Sequence, residues 1–252
     1  MSIPKKIHYC WFGNADKPEA VKRCIASWKK YMPDYEIIEW NEKNTDFSKN
    51  LFAQEAYESQ KWAFVSDYVR LLALVQTGGI YFDTDVEVLK SFDDLLEYRA
   101  IAGFEEDKFV MTAVLASEAE HPIFQQWLKQ YDEMHFILNS KQMNTTTNVH
   151  HFSDLLKKNG LIPNGMRQNV KDIEVYPCEY FSPKNYYTEK VHITNNTYAI
   201  HHFQRSWCET EPALKRFLRM HPRLQYLYYL PNRLGKKVLG KQYDVLKRRL
   251  KK

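Results

Sequence analysis

The chain is short of the residues that mark several protein classes. Its four cysteines, Cys10, Cys24, Cys178 and Cys208, stand singly in 252 residues. They form no CxxC pair, which argues against zinc ribbons and disulfide scaffolds and for free thiols in a reducing compartment. Only 8 glycines and 10 prolines occur, so collagen-like and Gly/Pro-rich low-complexity chains are excluded. No stretch approaches the roughly 20 apolar residues of a membrane span. The start, MSIPKKIHYCWFG, lacks the apolar run and small-residue cleavage site of a signal peptide, so a cytoplasmic or peripheral protein is expected. There is no internal repeat, no Ser-His-Asp order, no phosphate-cradling glycine loop and no HExxH.

What is present is a core-forming composition. Hydrophobic residues make up 44% and aromatics 15%, including 17 tyrosines. Such a chain buries enough apolar surface to fold, unlike a disordered one. The net charge of +5 hides a split. Residues 214–252 hold 13 Lys/Arg against one acid, Asp244, so the remainder is net acidic. A basic tail on an acidic body implies an anionic partner for the tail. The body's acidity does not suit a nucleic-acid protein.

Along the chain, strands are expected at Lys6 to Phe12 and Tyr35 to Trp40, around a helix from Pro18 towards Lys30. This strand–helix–strand opening is the pattern of an α/β sheet. Phe52 to Leu74 reads as mostly helical, with Phe64, Tyr68, Leu71, Leu72 and Val75 recurring at three and four. Gly78-Gly79 ends it with a cap and tight turn. Ile80-Tyr81-Phe82 is a short apolar strand running into Asp83-Thr84-Asp85. Further strands are expected at Ala100 to Phe104, Phe109 to Ala116, Ile173 to Tyr176 and Thr197 to Phe203. Helices are expected from His121-Pro122 to Tyr131 and near Phe152 to Lys158. Glu105, Glu106 and Asp107 read as a solvated acidic loop. Asn144 to His151 is a polar run. A catalytic domain over 1–213 and a basic amphipathic helical extension over 214–252 are expected.

Asp83-Thr84-Asp85 is the sharpest local signal. Two carboxylates one residue apart at a strand exit can converge on a hard cation such as Mn²⁺ or Mg²⁺. By itself the triplet equally describes a solvated turn whose side chains cap backbone amides. Asp67 and Arg70 lie three apart on one helical face and can meet. From spacing alone that pair reads as a structural ion pair. His201 and His202 end a strand and point to opposite faces, so one of them can readily reach a metal.

The context resembles a known family. WAFVSDYVRLL at 62–72, GGIYFDTDV at 78–86, IPKKIHYCWFG at 3–13 and YAIHHFQRSW at 198–207 are similar to the glycosyltransferases of family 32. These are sugar-binding-region enzymes with a DxD motif, of capsular polysaccharide synthesis type. They are related to the yeast initiating mannosyltransferase and the clostridial glucosylating toxins. The motifs occur in order and cover about residues 3 to 207; the basic tail is not covered.

The resemblance implies a GT-A type α/β fold, a mixed central sheet flanked by helices, with the nucleotide sugar at the carboxyl ends of its strands. It implies that Trp11 stacks on the base, Ser66 touches the ribose, and Asp67 and Arg70 hold the donor sugar and phosphate. Tyr81 would line the same pocket. Asp85 would bind metal directly and Asp83 would contact ribose or reach the metal through water. Imidazole would supply a third ligand, His201 by the family pattern and His202 otherwise. Ser206 and Trp207 would bind the diphosphate; Arg205 before them departs from the small residue common in relatives. The implied activity is a retaining, metal-dependent transfer from a nucleotide sugar, a UDP-sugar by resemblance. The implied acceptor is a glycan or lipid-linked glycan in surface polysaccharide biosynthesis. No enzymatic nucleophile stands out, and front-face attack needs none. A protein peripheral on the inner face of the membrane, held by 214–252, is the matching location. The competing readings are a metal-dependent nucleotide-sugar hydrolase and a non-enzymatic membrane- or nucleic-acid-binding module driven by the tail.

Overall fold

The computed structural model describes residues 2–139 and 142–204. Arg205, Ser206, Trp207 and the extension at 214–252 lie outside the described residues. Residues 2–184 and 191–204 form one compact unit, while 185–190 belong to a second. Within 185–190 the Asn185 side chain accepts bonds from the amides of Tyr187 and Thr188, at 3.0 and 2.8 Å.

The larger unit is a mixed α/β sheet flanked by helices, as expected. Strands β1 (Lys6–Cys10), β2 (Glu36–Trp40) and β3 (Gly79–Phe82) are parallel. β3 pairs antiparallel with β7 (Val114–Ser117), which pairs antiparallel with β5 (Ala100–Glu106). β9 (Ile173–Tyr176) runs parallel to β5 and β8 (Gln168–Val170) antiparallel to β9. The order is β2-β1-β3-β7-β5-β9-β8, with β6 (Phe109–Val110) paired to β5. β3 therefore stands inside the sheet, and Asp83 follows its carboxyl end.

Alternation along β3 explains the layers. Ile80 and Phe82 enter a core with Trp28 of helix α1 (Glu19–Tyr31). Tyr81 enters the opposite core with Phe64, Leu71 and Leu74 of helix α3 (Trp62–Thr77). Period-two side chains on a strand buried on both faces require this arrangement. Helices α2 (Leu51–Glu58), α4 (Pro122–Gln130) and α5 (Asn148–Lys158) contribute to the second core. α3 ends at Gly78, with φ +64, and Gly79 follows at φ +114. A Cβ on Gly78 would lie 2.7 Å from the Ala119 amide, and one on Gly79 2.8 Å from the Lys6 carbonyl. The close turn that delivers β3 thus needs two glycines.

Two local expectations change. The helix expected over Phe52 to Leu74 breaks between α2 and α3, where Gln60 takes φ +55. The strand expected over Phe109 to Ala116 splits into β6 and β7. In the gap the Thr112 carbonyl turns to Arg70 and that of Ala113 to the Asp83 amide. A two-stranded ribbon also forms, β4 (Val86–Val88) antiparallel to β10 (Ala199–His201). The Trp28 indole ties it to α1 by donating to the Val86 carbonyl at 2.8 Å.

Candidate functional site

The site is built where β3 leaves the sheet. The Asp83 amide donates to the Ala113 carbonyl at 2.9 Å, fixing the turn against the β6–β7 segment. Three residues on, at Val86, β4 begins and pairs with β10 in the register His201↔Val86. That register sets His201 beside Asp85, with the imidazole Nε2 3.5 Å from Asp85 Oδ1. The Gln204 amide donates to Asp85 Oδ2 at 2.8 Å, and the His202 amide to the Asp85 carbonyl at 3.0 Å. Phe203, at φ +56, lays its ring 4.0 Å from that of His201. A non-glycine residue held in the left-handed region beside such a cluster is typical of constrained sites.

Asp83, Asp85 and His201 each offer a ligand atom, all within 4.8 Å of one another. The other ring nitrogen of His201, Nδ1, is buried without a hydrogen-bond partner among the described residues. Two carboxylates and an imidazole suit Mn²⁺, and less closely Mg²⁺, so the residues present fit the expected cation. His202 goes elsewhere. Its Nε2 lies 2.8 Å from Glu87 Oε2, as the alternation of β10 against β4 demands. Of the two histidines expected as ligands, His201 alone reaches the cluster, while His202 is held by Glu87.

Behind the turn, Arg70 is 4% exposed and its hydrogen bonds are spent on the protein. Nε donates to the Ser66 carbonyl, one terminal nitrogen to the Thr112 carbonyl at 2.6 Å, and the other to Asp67 Oδ1 at 2.9 Å. That last nitrogen also lies 3.3 Å from Asp83 Oδ1. The guanidinium rests over the Tyr81 ring at 4.7 Å, and the Tyr81 hydroxyl donates to Asp83 Oδ1 at 3.1 Å. Arg70 is thus a strut joining α3, the β6–β7 segment and the acidic turn. The planar five-donor fork explains why arginine, not lysine, fills it.

Charge is unevenly screened here. Burial pushes the Asp67 carboxyl up to about 7, against the pull of Arg70 and with a push from Asp83. Burial also opposes the Arg70 charge, but Asp83 and its neighbours more than offset it and hold the guanidinium protonated. Glu105 is raised by burial, with His201 pulling the other way. Cys10, under the site, is pushed up to about 12 by burial and stays a thiol.

The remaining expected residues fall as follows. Trp11 is half-buried at the end of β1, its indole donating to the Ala15 carbonyl at 2.7 Å, with the Lys17 ammonium 5.6 Å from its ring. The Ser66 hydroxyl donates back to the Trp62 carbonyl within α3. Tyr81 is 1% exposed and acts through Arg70 and Asp83. Two features escape sequence reasoning. Glu105 is no solvated loop residue: its Oε1 lies 3.8 Å from His201 Nδ1. Thr112 donates to Asn148 Oδ1 at 2.7 Å while its own carbonyl holds Arg70. Only the polar run at Asn144 to His151 hinted at the second.

The fold is a mixed α/β sheet with a carboxylate–carboxylate–imidazole cluster after a central strand, a group that could hold a metal ion. Residues 18–101, about a third of the chain, match the family model described as glycosyltransferase sugar-binding region containing DXD motif. The chain is similar to glucan organizing enzyme 1 of Cryptococcus neoformans var. grubii, 33% identical over 81 residues, 28% of this chain and 22% of that protein. It is similar to inositol phosphoceramide mannosyltransferase 3 of Schizosaccharomyces pombe, 30% identical over 145 residues, 54% of this chain and 39% of that protein. The matches span at most about two fifths of these curated relatives. Among solved structures, PaToxG glycosyltransferase is similar with a TM-score of 0.46 at 18% identity, over 62% of this chain and 68% of that one.

Proposed function

We propose that the protein is a metal-dependent, retaining glycosyltransferase. It moves a sugar from a nucleotide sugar, a UDP-sugar in the first instance, to a glycan or lipid-linked glycan in surface polysaccharide assembly. The observation that carries this reading is the convergence of Asp83, Asp85 and His201 beside the buried Asp67–Arg70 pair. The match of residues 18–101 to the DXD sugar-binding family model supports it.

A divalent cation held by Asp83, Asp85 and His201 would neutralise the leaving diphosphate as a Lewis acid. The chain's own groups do the rest. Asp67 accepts from donor sugar hydroxyls. Arg70 fixes Asp67 and Asp83 and adds positive potential behind the phosphates. Trp11 offers its ring face to the base, and Ser66 lies along the path to the ribose. Ser206 and Trp207 bind the diphosphate in this reading. No side chain is assigned as nucleophile: the acceptor hydroxyl attacks from the face the diphosphate leaves, and a phosphate oxygen takes its proton.

Among the described residues no helix is long and apolar enough to cross a membrane. The basic extension at 214–252 is proposed to hold the enzyme on anionic leaflets of the inner face, with each engaged Lys or Arg contributing about 1 kcal/mol. Deleting the residues after Arg233 is expected to release the protein from anionic liposomes and leave donor turnover intact. Unchanged retention would sink that part.

The test of the main reading is a nucleotide-sugar panel with Mn²⁺, including a mannosyl donor because one relative is a mannosyltransferase. A donor at about 100 times its Kd should raise the melting temperature by about 5–10 °C, and glycan should then accept the sugar. Absence of stabilisation by every donor rejects the proposal. Full-rate turnover without acceptor would make the protein a hydrolase.

A further inference from the structure

We propose that Glu105 is a positioning residue for His201, accepting the Nδ1–H of the imidazole so that Nε2 presents its lone pair to Asp83 and Asp85. The inference rests on the metal-site reading above and deepens it.

Four observations converge. First, the imidazole lies between two carboxylates, with Asp85 Oδ1 3.5 Å from Nε2 and Glu105 Oε1 3.8 Å from Nδ1. Second, among the described residues both members of the outer pair lack hydrogen-bond partners. Nδ1 is buried and unbonded, and none of the described hydrogen bonds reaches the Glu105 carboxylate, whose side chain is 20% exposed. An unpaired polar group in such a setting costs stability, so each is the other's natural complement. Third, β5 changes register against β6 between Phe104 and Glu106, which puts Glu105 at a bulge. A bulge re-aims the side chain it carries and is common beside functional sites. Fourth, the Phe203 ring lies against the imidazole, with ring centroids 4.0 Å apart.

The separation of 3.8 Å exceeds a charge-assisted N–H···O bond by about 0.9 Å. A small turn of the ring closes it, and a cation at Nε2 favours that turn because Nδ1 must then carry the proton. A histidine that ligates through one nitrogen usually donates the other N–H to a carboxylate, which fixes both tautomer and orientation.

The test uses the full chain with UDP and titrates Mn²⁺ by the loss of its free-ion EPR signal. Glu105→Ala should weaken Mn²⁺ binding by about 10–100-fold. Glu105→Gln, whose amide oxygen still accepts, should recover most of it at an unchanged melting temperature. In a His201→Ala background, Glu105→Ala should add nothing, because the residue acts through His201. In the metal-free protein, the ring ¹⁵N shifts of His201 should report the Nδ1–H tautomer, and Glu105→Ala should mix the two tautomers. A loss of equal size in both backgrounds overturns the inference. So does unchanged Mn²⁺ affinity with a raised acceptor KM, which would make Glu105 an acceptor contact. If His201→Ala itself binds Mn²⁺ like the wild type, the metal reading falls and this inference with it. A weakened His201→Ala beside an unchanged Glu105→Ala overturns this inference alone.

Discussion

The Arg70 guanidinium stands 3.3 Å from the Asp83 carboxylate, reaching from the middle of α3 to the turn after β3. The same nitrogen bonds Asp67 at 2.9 Å, so one side chain sets the position of two acids. The arginine therefore joins the scaffold to the site.

Arg70→Lys should behave as a disruptive change. The ammonium keeps the charge but cannot reach Ser66, Thr112, Asp67 and Asp83 together. A loss of about 2 kcal/mol in stability is expected, with weakened donor binding alongside it. Thermal unfolding and donor titration measure both. Wild-type stability in the variant would show that the strut contributes little.

Asp85→Ala should abolish metal-dependent donor binding, reducing transfer by on the order of 100-fold or more. Its side chain also receives the Gln204 amide, so some local loosening is expected at 203–204 while the sheet stays folded. Circular dichroism and Mn²⁺ titration separate the two effects. Full transfer by the variant would remove Asp85 from the site.

His201→Ala and His202→Ala should part company. The first lowers Mn²⁺ affinity. The second breaks the partly exposed pair with Glu87 and costs less than about 1 kcal/mol, leaving Mn²⁺ binding near wild type. Equal effects on metal affinity would mean that the β4–β10 register is not the one described.

Asp67 carries a pH signature. Its carboxyl titrates at about 7 in the folded chain against an ordinary 3.8. Between those values the folded chain holds a proton that the unfolded chain has lost, so this group costs stability as the pH rises through that window. Asp67→Asn removes the cost. The variant's melting temperature relative to wild type should rise from about pH 4 to about pH 7 and level off above. A difference that stays flat over this range would show that Arg70 keeps Asp67 ionised throughout.

The sequence by itself determined the elements whose signals are local. Asp67 and Arg70 share a face because a helix returns every three to four residues. Asp83 and Asp85 sit at a strand exit because two glycines and an apolar triplet precede them. The parallel opening, β1–α1–β2, was legible from periodicity and turn residues. Motif resemblance reached further, to the family and to the histidine pair, because it compares whole patterns.

Tertiary structure decided the rest. Strand alternation shows that one of His201 and His202 faces the turn, but the pairing of β10 with β4 chooses His201. That pairing joins segments far apart in the chain, and neither three-residue strand carries a pattern long enough to announce itself. Arg70 as a strut, Thr112 as its anchor and Glu105 turned inward at a bulge also depend on which backbone carbonyls and strand registers meet in space. Local residue spacing records helix faces and strand exits. Contacts between distant segments are fixed only when the sheet assembles and its buried polar groups find partners.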